Sequence, residues 1–491
     1  MVATACLVAE EHRPGQPGVG GFSSIRGKDT ETAMNHQAQP DTDRSDEGRA
    51  RSRWWTVGVT GLALATAGVA AAPAANAAAR THTTVADRPS TDEHRDKRDG
   101  GKPGERNKAD TEKKGKKAPG TPVPCDADAL IAATTLANAR GGGVLDLAMN
   151  CTYLLTASID DAGLPAITSP ITLNGGKHTT IERAAATDQF RILNVEAGGH
   201  LTLNRLTVTG GQTGPGADGG AILVDAGGSL TTNHSTITRN IAGAGGGGGI
   251  ANNGTARVQT STVSHNAAAA VGGGILNSAV LDVSKSEVHT NTALNGAGVA
   301  SAETVRIEDS SISENRAQSA FGGLVVGSGT AVVTNSSITR NIATGVVGGI
   351  AAGIGTQVTI RSVTIAENAS LTTVAGGLGV DDEASVVVAD STIKNNYADT
   401  NGGGVYNISE LVLRNTKVFG NQAGDLGGGM YNELLGTLTL FASKVTQNVA
   451  AADGGGIYNE AAGTVNLNTA TGTVVVKNRP NNCVDVPGCA G

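Results

Sequence analysis

One phrase recurs along the C-terminal half of the chain, and this repeat constrains the fold more than any other feature. It joins a β-branched residue to an asparagine three positions later, as in ITRN ending at Asn240 and VTQN ending at Asn448. The repeated asparagines are Asn240, Asn266, Asn291, Asn315, Asn341, Asn368, Asn396, Asn421, Asn448 and Asn478. Successive copies are 24 to 30 residues apart, and a fixed period of this length is typical of solenoids.

Two further phrases accompany each asparagine. A glycine-rich one follows about a dozen residues later, as in GGGIAN over Gly247–Asn252 and GGGMYN over Gly427–Asn432, and segments such as LDVSK and LVLRN alternate apolar and polar residues. Period-two alternation indicates strands, and Gly and Asn favour turns. The repeat therefore predicts an all-β parallel coil of about ten turns with three strands per turn, in which each strand pairs with its copy in the next turn.

Two columns of like apolar residues are predicted to fill the interior of this coil. One column is Ile250, Ile275, Val299, Ile350, Val405, Met430 and Ile457, and the other is Ile237, Val263, Val288, Ile312, Ile338, Ile365, Ile393, Val418 and Val445. We expect the repeated asparagines at a corner of each turn. Asparagine tolerates left-handed backbone, and stacked amides bond to one another as a ladder.

The first part of the chain has the composition of an export signal. Basic residues, an apolar run and the sequence Ala75-Asn76-Ala77 follow one another within residues 49–79, which is the signal-peptide pattern. We assign residues 1–79 to an N-terminal extension and a signal peptide cleaved near residue 77. An uncleaved membrane anchor and a start at Met34 instead of Met1 remain open.

Residues 80–120 are rich in charges of both signs, Pro and Gly, and such a segment buries too little apolar surface to fold. We interpret them as a disordered linker. The sequence therefore predicts a secreted protein, free or held at the cell surface, with no membrane segment after signal cleavage.

Four cysteines flank the repeats in two close pairs. Four cysteines allow three connectivities. Proximity along the chain favours the disulfides Cys125–Cys151 and Cys483–Cys489, which need an oxidising compartment. Four free thiols are the alternative.

Each cysteine pair marks a cover for one end of the coil. Residues 121–151 are predicted to form an N-terminal cap with a short helix that begins after Asp126 or Asp128. We expect the apolar residues of this helix to lie on the open first turn, namely Leu130, Ile131 and Leu136. Residues 152–478 would then form the solenoid and residues 479–491 a C-terminal disulfide cap.

Three tyrosines at the same place in three successive turns are the best candidate for a site. Tyr406, Tyr431 and Tyr458 alternate with inward residues and are therefore expected to point outward. Carboxylates flank them at Asp425, Asp453, Glu433 and Glu460. Tyrosine offers an apolar ring and a hydroxyl together, which suits the stacking of a sugar chain. The alternative is an aromatic ladder that only stabilises the last turns.

Charge and composition limit the other functions. A net charge of −7 argues against nucleic acid as a partner. Asp381, Asp382 and Glu383 form a run of three acids, interpreted as a solvated loop or a weak Ca²⁺ site. His265 and His289 fall out of register with each other, so we expect neither a metal site nor another cofactor, and the repeats show no catalytic constellation.

The GGGI and IxxN phrases resemble the GGAI and FxxN repeats of polymorphic outer-membrane proteins. More broadly, residues 125–491 resemble secreted bacterial right-handed parallel β-helix proteins of the pectate-lyase-like class. The resemblance implies that fold. Polymorphic outer-membrane proteins also carry a C-terminal membrane barrel, which is not expected here because the chain stops soon after Asn478.

Three functions are compatible with this resemblance. The leading one is a non-catalytic, adhesin-like scaffold, monomeric, that binds polysaccharide, cell-wall glycan or matrix. The second is a polysaccharide lyase or glycoside hydrolase acting on acidic polysaccharides, because the class includes such enzymes. The third is a purely structural rod or spacer.

Overall fold

The computed structural model describes residues 120–490. The predicted signal peptide, its cleavage site, the alternative start at Met34 and the linker as far as residue 119 lie outside the described residues. Within the described part of the chain, no helix has the length and hydrophobicity needed to span a lipid bilayer.

The described residues wind into a parallel β-solenoid, so the predicted fold class is confirmed. The solenoid has about 13 turns and up to four strands per turn, and its strands form four sheets of 14, 13, 10 and 12 strands. The predictions of about ten turns and of three strands per turn are therefore wrong. The additional strand is often only two residues long, as in Ile342–Ala343, too short to show alternation, and the first turns lack the phrase that ends in asparagine.

The sheets are numbered here in the order in which the chain enters them within a turn. Sheet 1 contains Thr121–Val123, Gly143–Leu147, Pro170–Asn174, His200–Asn204, Ser229–Asn233, Thr255–Gln259, Val280–Ser284, Thr304–Glu308, Thr330–Thr334, Gln357–Arg361, Ser385–Ala389, Glu410–Arg414, Thr437–Phe441 and Thr464–Asn466. Sheet 2 contains Thr152–Leu155, Thr180–Arg183, Thr207–Thr209, Thr236–Thr238, Thr262–Ser264, Glu287–His289, Ser311–Ser313, Ser337–Thr339, Thr364–Ala366, Thr392–Lys394, Lys417–Phe419, Lys444–Thr446 and Val474–Val476.

The other two sheets begin later in the chain. Sheet 3 contains Gln212–Thr213, Ile241–Ala242, Ala267–Val271, Thr292–Asn295, Arg316–Ala320, Ile342–Ala343, Ala369–Ser370, Tyr397–Ala398, Gln422–Ala423 and Val449–Ala450. Sheet 4 contains Leu193–Val195, Ile222–Val224, Ile250–Asn252, Ile275–Asn277, Val299–Ser301, Leu324–Val326, Ile350–Ala352, Leu378–Val380, Val405–Asn407, Met430–Asn432, Ile457–Asn459 and Cys483–Val484. One short 3-10 helix, Thr469–Thr471, interrupts the last turn.

The predicted columns fill the interior. Ile237 pairs with Val263, which pairs with Val288, and none of the three side chains is exposed. Ile250 and Ile275 are paired and buried in the same way in sheet 4. Each turn therefore shields the apolar face of the next turn, at a spacing of about 4.8 Å.

The repeated asparagines form a buried amide ladder along the corner between sheets 2 and 3. Asn341 donates from Nδ2 to Oδ1 of Asn368 at 3.0 Å and to the carbonyl of Ile312 at 3.0 Å. The left-handed residue at this corner is not the asparagine, as predicted, but the residue before it, such as Arg340 at φ 55°. That residue is exposed, which explains why its chemical type varies from turn to turn.

The glycine phrase leads into sheet 4 at a point where backbones approach closely. A Cβ added to Gly404 would lie 2.5 Å from the carbonyl oxygen of Gly429 in the next turn. Any side chain there would push the two turns apart. The glycines therefore set the spacing of the turns, as well as their corners.

The N-terminal end is covered by helix α1, Ala127–Ala139. Asp126 is its N-cap and accepts a hydrogen bond from the amide of Ala129 at 2.8 Å, and Cys125 is bonded to Cys151. Leu130 is fully buried against the first turns, whereas Leu136, which we expected there too, is 45% exposed. The helix therefore contacts the coil along a narrower face than predicted.

A second apolar cluster lies outside the coil, on the outer face of sheet 4. Val325 of the sheet packs there with Phe321, Val347 and Ala375, which belong to the segments between sheets 3 and 4. These segments fold back over the sheet and cover its outer face. The sequence pattern did not predict this cluster, which we call the outer cluster.

Candidate functional site

The three tyrosines form a continuous ring stack on the outer face of sheet 4. Tyr406 pairs with Tyr431, and Tyr431 pairs with Tyr458. The ring centroids are 5.0 Å and 5.4 Å apart, and the planes are inclined by 5° and 4°. We call this arrangement the tyrosine ladder. Because the rings stack along the coil axis, the faces of Tyr431 are occupied by its two neighbours.

The middle ring of the tyrosine ladder is the most buried. Tyr431 is only 5% exposed, while Tyr406 and Tyr458 are half-buried. The glycine four residues before each tyrosine lies close to its Cβ in all three turns, and a Cβ added to Gly427 would be 2.8 Å from Cβ of Tyr431. What distinguishes the middle ring is therefore that it has a stacked neighbour on both faces. The ladder points away from the coil interior, as predicted, but the middle ring cannot present its face to a ligand.

Each of the first two tyrosines holds a carboxylate of the following turn. The hydroxyl of Tyr406 donates to Oε2 of Glu433 at 3.0 Å, and the hydroxyl of Tyr431 donates to Oε1 of Glu460. Both glutamates are half-buried. The structure thus brings Glu433 and Glu460 together with the tyrosines, at one carboxylate per turn, and fixes their positions.

Burial and negative charge act on the phenol groups of the ladder. Burial raises the pKa of Tyr431, and the hydrogen bond to the Glu460 carboxylate raises this pKa further. Burial also raises the pKa of Tyr458, with smaller contributions from the charges of Glu460, Asp453, Asp485 and Asp425. Both hydroxyls therefore remain protonated, and carboxylates are the charged groups that act on the ladder.

The two aspartates that precede the glycines differ from each other. Asp453 accepts hydrogen bonds from the amide of Gly454 at 2.9 Å and from Nδ2 of Asn481 at 2.6 Å, so its carboxylate fixes the local loop. Asp425 is exposed. Of these two predicted site residues, only Asp425 presents its carboxylate openly to solvent.

Two of the three acids in the run lie in an exposed turn, and the first is buried. Asp381 is 3% exposed, and Asp382 and Glu383 are exposed. Burial raises the pKa of Asp381 to about 7, and the charges of Asp382 and Glu433 add to the shift, against a hydrogen bond from the amide of Asp382 that lowers it. The Oδ2 atom of Asp381 has no hydrogen-bond partner.

Asp381 occupies the same place in its turn as Glu433 does two turns later, as the pairing of Gly379 with Tyr406 and of Tyr406 with Tyr431 shows. Among residues 120–490, no three His, Cys, Asp or Glu side chains gather as the ligands of a metal ion. The structure gives no support to a Ca²⁺ site at Asp381, Asp382 and Glu383.

The two histidines contact each other although they are out of register. In the sheet, His289 pairs with Ser264 and not with His265. The rings of His265 and His289 are nevertheless edge-on to each other, with 5.9 Å between their centroids. Nδ1 of His289 is 3.0 Å from the hydroxyl of Thr290.

Two features beside the tyrosine ladder were not predicted. Leu434 and Leu435 follow Glu433 on an exposed loop, and their side chains are 47% and 81% exposed. Beyond the last turn, an open cavity of about 840 Å³ lies between this same loop column and the C-terminal cap, which is closed by the Cys483–Cys489 disulfide. The repeat does not predict either feature, because both lie in loops whose sequences vary between turns.

The fold and the repeat together define the chain as a right-handed parallel β-helix protein. Residues 249–410 match the family model described as right handed beta helix region. No curated protein matches the sequence significantly.

The solved structures that are similar to this chain are only distantly similar in sequence. The periplasmic alginate epimerase AlgG is 10% identical, with 61% of this chain and 77% of that chain covered and a TM-score of 0.40. The A-module of the mannuronan C-5 epimerase AlgE6 of Azotobacter vinelandii is 13% identical, with 75% and 97% covered and a TM-score of 0.34. The tailspike protein of E. coli bacteriophage HK620, solved with a pentasaccharide, is 12% identical, with 69% and 71% covered and a TM-score of 0.31.

Proposed function

We propose that this protein is an exported β-helix scaffold that binds polysaccharide through the tyrosine ladder and its carboxylates, without catalysis. The observation that carries the proposal is the pair of bonds from Tyr406 to Glu433 and from Tyr431 to Glu460. They hold one carboxylate per turn in a fixed, half-buried position. A repeated, preorganised acceptor suits a ligand that is itself a repeated polymer.

The carboxylates, and not the ring faces, make the contacts. An ionised carboxylate has about four acceptor sites, and the hydroxyl of Tyr431 uses one of those of Glu460. The other acceptors of Glu460 suit the hydroxyl groups of a sugar, and Glu433 contributes its charge and its fixed position to the same surface. The exposed side chains of Leu434 and Leu435 provide an apolar surface beside Glu433 for the C–H face of a pyranose ring.

The charge of this surface selects a neutral glycan. Asp425, Asp485, Glu433 and Glu460 surround the ladder, and like charges across an interface disfavour a wrong partner by several kcal/mol in general. An acidic polysaccharide would meet this repulsion. The proposal therefore departs from a lyase or hydrolase of acidic polysaccharides, although such enzymes share the predicted class.

Export is supported by the two disulfides, Cys125–Cys151 and Cys483–Cys489, since disulfides persist in oxidising compartments. A scaffold on the outside of the cell would meet polysaccharides directly.

Electrophoresis through gels that contain neutral or acidic polysaccharides tests the proposal. We expect a neutral polymer to retard the protein, and the double variant Glu433→Gln, Glu460→Gln to be retarded at least about tenfold less, because each charged hydrogen bond contributes about 1.5–3 kcal/mol. Glu303→Gln is the matched control, since Glu303 is exposed in an equivalent loop of an earlier turn. Retardation by acidic polymers alone, or equal retardation of all variants, would refute the proposed site. If reducing ends appear, and if their appearance depends on Glu433 or Glu460, the protein is a hydrolase and not a non-catalytic binding protein.

A further inference from the structure

The C-terminal cap forms one wall of the open cavity described above. The cavity, of about 840 Å³, is lined on one side by Ala461, Gly463 and Thr464 and on the other by Asp485, Val486 and Pro487. Its volume falls within the range usual for small-molecule sites, about 300–1,000 Å³. The cavity is open to solvent at the end of the coil, directly after Glu460 in the loop column.

The two walls are fixed by different means. Asn459 joins them, since its Nδ2 donates to the carbonyl of Gly463 at 2.9 Å and to the carbonyl of Asp485 at 3.0 Å. The cap wall is closed by the bond between Cys483 and Cys489. The cavity is therefore a preformed part of the fold, because its shape depends on a buried side chain and a covalent bond.

The chemistry of the lining suits a sugar residue. Val465 and Val486 contribute apolar surface to the lining. Thr464, Asn466 and Asp485 are exposed and add a hydroxyl, an amide and a carboxylate, so that the lining is more polar than apolar. Such groups can form hydrogen bonds with the hydroxyls of a sugar, while the valines contact its C–H groups.

We propose that this cavity is an end subsite that receives the terminal residue of a neutral saccharide lying along Glu433 and Glu460. This inference rests on the proposed function and names the place where the glycan chain ends. Its direction follows from the fold, because the acceptors of the ladder advance one turn at a time toward the cap. The disulfide loop acts as the stop that fixes the register of the glycan on the coil.

Ala461→Trp tests the subsite. Ala461 is exposed and lines the cavity, so a tryptophan at this position fills the space without disturbing the interior. Ala462→Trp is the matched control, since Ala462 is the next residue and equally exposed but is not part of the lining. Binding of short neutral oligosaccharides and of the long neutral polymer is measured for both variants and for the reduced protein.

We expect Ala461→Trp and reduction of the disulfide to lower the affinity for short oligosaccharides at least about tenfold. Ala462→Trp should leave this affinity unchanged. The affinity for the long polymer should fall much less, because Glu433 and Glu460 still bind its interior sugar residues. If Ala461→Trp binds short oligosaccharides as well as the unaltered protein, the end subsite is refuted while the proposed function stands. If the unaltered protein retains neither the polymer nor the oligosaccharides, both fail.

Discussion

The hydroxyl of Tyr406 donates a hydrogen bond to the carboxylate of Glu433 across one turn of the coil, at 3.0 Å. The same relationship recurs one turn later between Tyr431 and Glu460. A stack of rings that would otherwise only stabilise the last turns thereby positions a row of acceptors. The same four residues therefore stabilise the last turns and carry the proposed binding surface.

Removal of the Tyr431 hydroxyl should destabilise the last turns. Tyr431→Phe keeps the ring stack but leaves the half-buried Glu460 carboxylate without its donor, so we expect a loss of about 2 kcal/mol in the free energy of unfolding. Urea titration measures it. Tyr397→Phe is the control, because the Tyr397 hydroxyl bonds to Asp399 at 3.1 Å on the exposed surface and should cost less than about 0.5 kcal/mol. Equal losses in the two variants would show that the hydrogen bond of Tyr431 contributes no more to the free energy of unfolding than an exposed one.

Asp381 should make the stability depend on pH. Its pKa is raised to about 7 by burial, so between pH 4 and 7 the folded protein keeps a proton that the unfolded chain has released. Stability should therefore fall as the pH rises through this interval, by about 4 kcal/mol, and remain at the lower value above it.

Asp381→Asn should remove this dependence and stabilise the protein at pH 8. The exposed neighbour provides the control, since Asp382→Asn should leave the slope between pH 4 and 7 as it is. Urea midpoints at a series of pH values measure both. A slope in Asp381→Asn as steep as that of the unaltered protein would assign the titration to another group.

The corner between sheets 2 and 3 offers a test of which residue adopts left-handed backbone. Gln447 has φ 57° and is exposed, whereas Asn448 is buried in the amide ladder. We expect Gln447→Gly to be neutral or stabilising by up to about 1 kcal/mol, because glycine relieves the left-handed strain at some cost in chain entropy. Asn448→Gly should destabilise by more than about 2 kcal/mol, since it breaks the ladder bonds to Asn421 and Asn478. The reverse order of the two variants would place the strain at the asparagine.

The interior of the coil could be predicted from sequence because each turn repeats one pattern. Columns such as Ile237, Val263 and Val288 follow from alternation alone, and the pairing of Cys483 with Cys489 follows from proximity. What alternation cannot show is a strand of two residues, such as Ile342–Ala343, and this is why a strand per turn was missed.

The surroundings of the candidate site were not predictable in the same way. Asp381 looked solvated because acids usually are, yet its side chain is 3% exposed. The burial of Tyr431 depends on ring stacking with Tyr406 and Tyr458 in the two neighbouring turns. Such contacts between turns cannot be deduced from the sequence of a single turn.

Calorimetric titration of the full chain with neutral oligosaccharides of increasing length tests the central claim most directly. We predict that affinity rises with each added sugar, levels off at about the number of turns from Tyr406 to the cavity, and is at least about tenfold weaker for uronic-acid oligomers of equal length. Affinity that does not change with length, or that is greater for the acidic oligomers, would contradict the assignment of this surface to a neutral glycan.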